Sequence, residues 1–224
     1  RFSHVFNNPN VAYCEQQLDV LLQKVVPGKR VLEIGCYEGG EVPRLLAHNP
    51  QSLVGIDISP RAIAKAVATF GDCVSFYVAD AHQLPFPDKS FDVVYGRAIL
   101  HHLNYQQAIE EAYRILVPEG YAIFVEPLIH NPLLKLFRKA MSWAHTPAER
   151  PLSRHQIRWA NNLFGCQNHY FGGLLSTLCG ILTSLLGLEA SNTALRVADR
   201  LDRFLLRTPL KWWARTVYLV WQKR

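Results

Sequence analysis

The sequence predicts an α/β fold in which helices cover both faces of a mostly parallel sheet. Three segments carry this prediction, each a short aliphatic run that ends in a glycine or an acid: residues 31–40 (VLEIGCYEGG), 52–57 (SLVGID) and 74–80 (VSFYVAD). Short runs rich in β-branched residues are typical of buried parallel strands. Helical patterns separate the runs, so strand and helix alternate as they do in a doubly wound sheet.

The first strand leads into a glycine-rich turn. Gly35 and Gly39 permit positive φ and the close approach of a ligand, and the next helix offers a positive N-terminus. The order is G-x-x-x-G-G. Tyr37 replaces the second glycine of a dinucleotide turn and Glu38 adds negative charge, so a pyrophosphate fits poorly. A zwitterion fits better, with its ammonium on Glu33 and its carboxylate on N–H groups of the turn, which is the charge layout of S-adenosylmethionine.

Acids end the second and third strands. Asp57 stands about where a carboxylate binds ribose hydroxyls in nucleotide-binding β-α-β units. The alternative role is a helix cap, because Ser59 and Pro60 open a helix there. Asp80 and Ala81 follow the third strand.

The flanking segments predict further elements in the same alternation. A leading helix within residues 1–28 closes at Pro27 and Gly28, and its apolar residues are Tyr13, Leu18, Leu21, Leu22 and Val25. Residues 91–95 predict a fourth strand. Asn104 and Gln107 match a cap and its third-position partner for the next helix. Residues 118–120 end that helix, and residues 121–126 predict a fifth strand.

Beyond residue 130 two insertions interrupt the pattern. Asn131 and Pro132 cap a predicted lid helix, and Ser153 with Gln156 begin another helix before a sixth strand at residues 166–171. The second insertion, residues 172–209, contains a leucine-rich tract and a helix with Leu195, Ala198, Leu201 and Leu205 on one side and Arg196, Asp199, Arg200 and Arg203 on the other. Asp199 and Arg203 form a supporting i, i+4 pair. Residues 216–221 predict the final strand.

Four segments together resemble the class I S-adenosylmethionine-dependent methyltransferases, specifically the small-molecule branch, methyltransferase type 11, that includes quinone-biosynthesis enzymes. They are VLEIGCYEGG, VGIDIS, VADAHQLPFPDKSFDVVYGRAILHHL and EEAYRILVPEGYAIFVEP, and they run from Val31 to Pro127 with matching spacing. The resemblance implies a doubly wound, Rossmann-like, seven-stranded sheet whose last strand is antiparallel, plus helical lid insertions.

The resemblance also implies the domain plan and the cofactor. A single methyltransferase domain, 1–224, would comprise an N-terminal helix (1–28), a cofactor-binding core (29–127), substrate-lid insertions (128–152 and 172–209) and a terminal strand (210–224). The cofactor would be S-adenosyl-L-methionine, with S-adenosyl-L-homocysteine as its product. The residues expected to bind it are Glu33, Gly35, Cys36, Gly39, Asp57, Ile58, Asp80, Ala81 and Arg97.

Individual roles follow from the same resemblance. Asp80 would reach the adenine amino group, Ala81 would donate a backbone N–H, and Cys36 would contribute its backbone. The N-terminal segment would fold over the cofactor, where Phe2, Phe6 or Tyr13 shield the methyl donor. The alternative for these aromatic residues is core packing.

Methyl transfer from a sulfonium needs alignment more than covalent help, and positioning supplies roughly ~7 to 11 kcal/mol in well-oriented systems. A base is needed for a hydroxyl or carbon acid, and histidine suits that role near neutral pH. Three histidines near strand ends are candidates: His101, His102 and His130. The alternative is a structural role, such as capping or burial. Glu126 would orient the loop or contact the substrate. The spacing of carboxylates and histidines predicts no metal site.

Composition leaves three functional interpretations. With 49% hydrophobic residues and an apolar tract at residues 174–188, the first is a methyltransferase acting on a small, fairly apolar acceptor such as a secondary metabolite, quinone or lipid-like compound. The net charge of +6 permits the second, an RNA-directed enzyme. The third is a non-catalytic protein that docks on membranes, with Lys211, Trp212, Trp213 and Arg215 as interfacial anchors.

The compartment and the limits of the chain are also expectations. Cys14, Cys36, Cys73, Cys166 and Cys179 show no metal or redox spacing, which favours a cytoplasmic protein. Residues 174–188 are shorter than the ~20 needed to cross a bilayer. No secretory leader opens the chain, and the missing initiating Met indicates a trimmed N-terminus.

Overall fold

The computed structural model describes residues 9–132, 134–135, 150–188 and 193–224. The chain divides into two compact units. The larger unit comprises Val20–Glu126, His155–His169 and Leu219–Arg224, and the smaller unit comprises Arg1–Asp19, Pro127–Arg154 and Tyr170–Tyr218. Both predicted insertions lie largely within the smaller unit. The proposed domain boundaries stay a prediction.

A mixed sheet follows the predicted alternation. Its strands are β1 (Arg30–Ile34), β2 (Ser52–Asp57), β3 (Ser75–Val78), β4 (Phe91–Arg97), β5 (Leu116–Pro127), β6 (Gly165–Gln167), β7 (Tyr170–Gly172) and β8 (Thr216–Lys223). The order is β3-β2-β1-β4-β5-β8-β6, and β7 pairs with β8. Strands β1 to β5 are parallel, whereas β8 is antiparallel to β6 and β7. The predicted α/β fold with an antiparallel last strand is confirmed.

Helices connect these strands. They are α1 (Pro9–Val25), α2 (Val42–Leu46), α3 (Pro60–Phe70), α4 (Tyr105–Ile115), α5 (Arg154–Phe164), α6 (Leu175–Leu185) and α7 (Thr193–Leu205), with 3-10 turns at Leu100–His102 and Pro209–Trp213. Ser59 caps α3 by accepting the Ala62 N–H, and Asn104 caps α4 by accepting the Gln107 N–H. Both predicted caps are confirmed, because each side chain satisfies a backbone donor that the helix leaves open.

The core of the larger unit is aliphatic along the central strands and aromatic towards β8. Val31, Leu32 and Val94 are fully buried. Trp221 stacks on Phe164 with 5.5 Å between ring centroids, and its indole N–H donates to Asn161 Oδ1 at 2.7 Å. This packing holds the central strands together, so their carboxyl ends form a fixed edge.

Two strand predictions were wrong in their limits. The predicted sixth strand, residues 166–171, is two short strands, β6 and β7. His169 interrupts them, and its Nδ1 accepts the Val220 N–H at 3.1 Å, so a side chain replaces a backbone ladder bond. The fifth strand begins at Leu116, directly after α4. It continues through Glu119, which has φ of 62°, and the β4–β5 register shifts between Phe91 and Val93.

The prediction of which side of α7 is buried was also wrong. Leu195 and Ala198 are buried as expected, but Leu201 is 48% exposed and Asp199 is buried. Asp202 is buried too, and it accepts the N–H groups of Leu174, Leu175 and Ser176 and the Ser176 hydroxyl. The helix is turned so that Asp202 caps α6, a requirement that outweighs the burial of Leu201. The predicted Asp199–Arg203 ion pair is confirmed.

Two other predictions are only partly within the described residues. Asn131 Oδ1 accepts the Leu134 N–H at 3.1 Å, as a cap would. The rest of the predicted lid helix lies outside the described residues, and so do Phe2 and Phe6.

Candidate active site

The glycine-rich turn lies at the carboxyl end of β1, in the larger unit. Gly35, Tyr37 and Gly39 all have positive φ, at 72°, 48° and 88°. The Gly35 and Cys36 N–H groups donate to the Ile56 carbonyl at 2.8 and 2.9 Å, and the Gly39 N–H donates to the Cys36 carbonyl. These three N–H groups already have acceptors within the fold. The expectation that N–H groups of the turn hold a ligand carboxylate stays a prediction, and these three would not be the donors.

Glu33 is the predicted ammonium ligand, and β1 holds it between Gly55 of β2 and Tyr95 of β4. It is 3% exposed, and its Oε2 has no hydrogen-bond partner among the described residues. Burial, reinforced by the nearby charge of Glu41, raises the pKa of Glu33 to about 8. A buried carboxyl oxygen without a donor costs free energy that a bound cation would recover.

Asp57 lies at the end of β2, where it joins the turn to α3. Its Oδ2 accepts the Tyr37 N–H at 3.0 Å, and its Oδ1 accepts the Ser59 N–H at 2.9 Å. Each carboxylate oxygen keeps a second lone pair, so this capping role is compatible with a ribose contact. The adjacent Ile58 is 71% exposed, so its apolar side chain is available to pack against a nucleobase next to Asp57.

Asp80 follows β3 and is tied to His82. Its Oδ1 accepts the His82 N–H at 2.9 Å and the Nδ1–H at 2.6 Å. These bonds, the backbone one foremost, lower the pKa of Asp80. His82 Nε2 accepts the Asn104 N–H at 2.9 Å, so the ring proton sits on Nδ1 and the imidazole bridges Asp80 to the start of α4. Ala81 is buried beside this acid.

Arg97 at the end of β4 belongs to a charged group that sequence reasoning missed. Its Nε lies 3.1 Å from Glu41 Oε2, and the Tyr95 hydroxyl donates to the same oxygen at 2.5 Å. Tyr95 and Arg97 are two residues apart on one strand and therefore share a face, a signal that the sequence did contain. Glu41 gave no comparable signal, because an acid after a glycine turn is usually solvated.

Glu126 organises the segment that carries His101. Its Oε1 accepts the N–H groups of Ile99 and Leu100 at 2.9 and 2.8 Å. Its Oε2 lies 2.8 Å from His101 Nδ1. The carboxylate is fully buried and His101 is 7% exposed. A carboxylate that takes the Nδ1–H fixes the ring and leaves Nε2 as the nitrogen that can accept a proton.

Two features surround this pair. The exposed ring of His102 lies against His101 with 4.1 Å between centroids. The Tyr105 hydroxyl is buried without a hydrogen-bond partner among the described residues. Burial and the nearby Glu126 charge raise the pKa of Tyr105, so the hydroxyl keeps its proton and can only donate or accept a hydrogen bond.

His130, the third candidate base, lies in the smaller unit. Its Nε2 accepts the Arg154 N–H at 2.9 Å, so it caps the first turn of α5. Burial, with Lys135 and Arg154 nearby, lowers the pKa of His130 and keeps the ring neutral. The geometry therefore gives His130 a structural contact and gives His101 the arrangement of a positioned base.

The fold, with acids at the ends of its parallel strands, is of the Rossmann-like α/β class. Residues 32–124 match the family described as Methyltransferase domain. This match agrees with the family predicted from the sequence, the class I S-adenosylmethionine-dependent methyltransferases.

Sequence relatives agree with this assignment. Over 99 residues the chain is 39% identical to 27-O-demethylrifamycin SV methyltransferase of Amycolatopsis mediterranei (strain S699), covering 42% of this chain and 36% of that enzyme. Over 107 residues it is 34% identical to the fatty-acid O-methyltransferase of Mycolicibacterium smegmatis (strain ATCC 700084 / mc(2)155), covering 46% of this chain and 39% of that enzyme. The aligned region thus spans less than half of either relative.

Solved structures share the fold over nearly the whole chain. N-methyltransferase NodS from Bradyrhizobium japonicum WM9, in complex with S-adenosyl-L-homocysteine, superposes with a TM-score of 0.61 at 16% identity, covering 97% of this chain and 89% of that one. At this identity the likeness establishes the fold alone.

Proposed function

We propose that the protein is an S-adenosylmethionine-dependent methyltransferase that moves a methyl group to a small, fairly apolar acceptor by in-line displacement. The observation that carries the proposal is Glu33 on β1, whose Oε2 is buried without a partner among the described residues. A cationic ligand group supplies the missing partner and favours the ionised carboxylate, which an anionic pyrophosphate would not.

The remaining residues of that edge fit the same ligand. Asp57 has lone pairs for ribose hydroxyls, Ile58 offers an apolar contact for the adenine, and Asp80 accepts from its amino group. Because the Gly35, Cys36 and Gly39 N–H groups have acceptors within the fold, we assign the ligand carboxylate to Arg97, a cation at the end of β4.

S-adenosylmethionine supplies an electrophilic sulfonium methyl when bound. The protein then aligns an acceptor, excludes water and removes a proton where the acceptor is a hydroxyl or carbon acid. Glu126 holds His101 Nδ1, so His101 Nε2 takes that proton as the acceptor atom forms its bond to the methyl carbon. The Tyr105 hydroxyl donates a hydrogen bond to the acceptor.

An apolar acceptor is supported by two relatives, whose names give 27-O-demethylrifamycin SV and fatty acids as their substrates. An RNA substrate has no such support. Base-amino methyltransferases of this fold resemble one another in an Asp/Asn-Pro-Pro-aromatic motif at the end of the fourth strand, where this chain has Tyr95-Gly96-Arg97-Ala98.

Location and membrane contact are part of the proposal. The described cysteines Cys14, Cys36, Cys73 and Cys179 are free thiols, which supports a cytoplasmic location. None of the helices within the described ranges has the length and hydropathy to cross a bilayer. Contact with a membrane would therefore be peripheral where these helices are concerned.

Calorimetric titration of S-adenosylmethionine tests the proposal. The wild-type protein should bind it and leave NAD unbound, and incubation with labelled donor and apolar hydroxyl compounds should give a labelled small product. Binding of NAD in place of S-adenosylmethionine, with the protein folded, would overturn the assignment.

The Glu33→Gln variant should bind S-adenosylmethionine more weakly and lose the pH dependence of binding. A pKa of about 8 means that Glu33 is largely protonated at pH 7 in the free protein, and an ammonium group favours the ionised form. Affinity should therefore rise from pH 6 to pH 8, by up to about tenfold per pH unit, with release of a proton. Titrations in buffers of different ionisation enthalpy measure that proton.

The exposed acid Asp72 provides a matched control, since Asp72→Asn removes a carboxylate away from the site. That variant should keep the wild-type pH profile. A Glu33→Gln profile that still rises with pH would show that another group binds the cation.

A further inference from the structure

Helices α6 and α7 of the smaller unit differ from ordinary surface helices, because each buries some polar side chains and exposes several large apolar ones. On α6, Ser176, Thr177 and Thr183 are buried. On α7, Asp199 and Asp202 are buried. The large apolar side chains that these two helices expose are Leu182, Leu185, Leu186, Val197, Leu201 and Phe204. We call these six residues the α6–α7 surface.

The exposed residues form stripes. Leu182, Leu185 and Leu186 recur at i, i+3 and i+4 on α6, and Val197, Leu201 and Phe204 recur at i, i+4 and i+7 on α7. Residues at these spacings lie on one face of a helix. The polar residues buried beneath them face the interior of the unit, so both stripes face outwards. Phe204 is 70% exposed and Leu186 is 73% exposed, which is unusual for such large side chains.

Cations flank these stripes. On α7 an arginine directly precedes each exposed apolar residue: Arg196 precedes Val197, Arg200 precedes Leu201 and Arg203 precedes Phe204. Within the described parts of residues 170–218 the cations are Arg196, Arg200, Arg203, Arg207, Lys211 and Arg215. The acids of the same described residues are Asp199 and Asp202, which are 2% and 0% exposed. The outer surface of this region therefore presents apolar and positively charged groups, without an exposed carboxylate among the described residues.

We propose that the α6–α7 surface docks on the surface of a bilayer that contains anionic lipids. An apolar helix face flanked by arginines matches a membrane interface, where acyl chains cover the leucines and anionic headgroups meet the guanidinium groups. Trp213 is 46% exposed and Leu210 is 39% exposed on the turn that follows α7, and tryptophan favours the headgroup level.

Charge distinguishes this partner from a second copy of the chain. A two-fold interface would place this face against the same face, so that the arginines of both copies would repel each other. Protein interfaces are also depleted of charged residues at their cores. An anionic bilayer supplies both the apolar cover and the missing negative charge.

Three residues of the predicted anchor set make contacts within the smaller unit. The side chain of Arg215 is in an environment whose burial lowers its pKa, and Lys211 lies over the Phe171 and Trp212 rings at 5.2 and 5.8 Å. Trp212 also stacks under Arg154. These contacts are internal to the smaller unit. The docking therefore depends on the exposed apolar residues of the α6–α7 surface, the arginines of α7 and Trp213.

Co-sedimentation with vesicles tests the proposal without any methyl transfer. The full chain should sediment with vesicles of phosphatidylcholine containing about a third phosphatidylglycerol, and much less with pure phosphatidylcholine. Raising the salt concentration should weaken the binding, because the arginines act through screened charges. Equal binding to both kinds of vesicle, or to neither, would overturn the proposal.

Paired variants separate the two contributions. Arg196→Gln with Arg200→Gln should lower the partition coefficient about 25-fold, since each cation contributes a factor of roughly five. Leu201→Ser with Phe204→Ser should lower it by tenfold or more through lost apolar contact. The matched controls are Lys24→Gln on α1 and Val67→Ser on α3, which change exposed residues of the larger unit and should leave partition unchanged.

Sedimentation velocity provides the opposing test. If the α7 variants dissociate a dimer and leave vesicle binding unchanged, the surface joins copies of the chain and the proposal fails. If they abolish vesicle binding with no change in sedimentation coefficient, the bilayer is the partner.

Discussion

The His101→Asn variant is expected to turn over a hydroxyl acceptor about 10²- to 10⁴-fold more slowly than the wild-type enzyme, the usual range for a lost general base. Asparagine keeps an N–H that can donate to Glu126, so the segment around residue 101 keeps its conformation. It lacks the second nitrogen that accepts the proton. Affinity for S-adenosylmethionine should stay within about twofold, because neither His101 nor Glu126 is among the residues assigned to the cofactor. Initial rates with labelled donor measure the loss, and calorimetry measures the affinity.

Rescue distinguishes a base from a structural histidine. Imidazole added to His101→Asn should restore part of the activity if Nε2 only moves a proton, and it should do nothing for a misfolded variant. His155→Asn, an exposed histidine on α5, is the matched control. His102→Asn decides between the neighbouring candidates, and a larger loss there than in His101→Asn would contradict the assignment.

The Asp202→Ala variant is expected to lower the free energy of unfolding by about 3 to 5 kcal/mol. It leaves the N–H groups of Leu174, Leu175 and Ser176 without their acceptor at a buried helix start, and each buried unsatisfied donor costs roughly 1 to 3 kcal/mol. A loss of that size is a large part of the stability of a typical domain, about 5 to 15 kcal/mol. Urea denaturation followed by tryptophan fluorescence measures it, since Trp212 and Trp213 belong to the same unit.

Ser176→Ala provides the graded control. It removes the hydroxyl bond to Asp202 and keeps the three backbone bonds, so it should cost about 1 kcal/mol. If Asp202→Ala unfolds no more easily than Ser176→Ala, then the carboxylate does not organise the start of α6.

The sequence was most informative where the role of a residue depends only on its neighbours in the chain. Gly35 and Gly39 occupy positions of positive φ, Ser59 and Asn104 cap the helices they precede, and Asp57 ends its strand. Each of these roles depends on neighbours within a few residues. Local chemistry was therefore sufficient to predict where these turns and caps lie.

Prediction failed where the role of a side chain depends on a contact with a residue far away in the sequence. Glu126 holds His101 from 25 residues away, and Tyr95 meets Glu41 across 54 residues. Asp202 turns α7 because the start of α6 needs an acceptor, although hydrophobic periodicity alone favours burying Leu201. Such contacts appear only when the strand order is known.

Ala98 has φ of 54° directly before the segment that carries His101. An alanine in the left-handed region costs roughly 1 to 2 kcal/mol, and three bonds to Glu126 hold the following residues in place. The ring of His101 is thus preorganised before any acceptor binds. The entropic cost of fixing the ring is incurred during folding, so it does not reduce the affinity for the substrate.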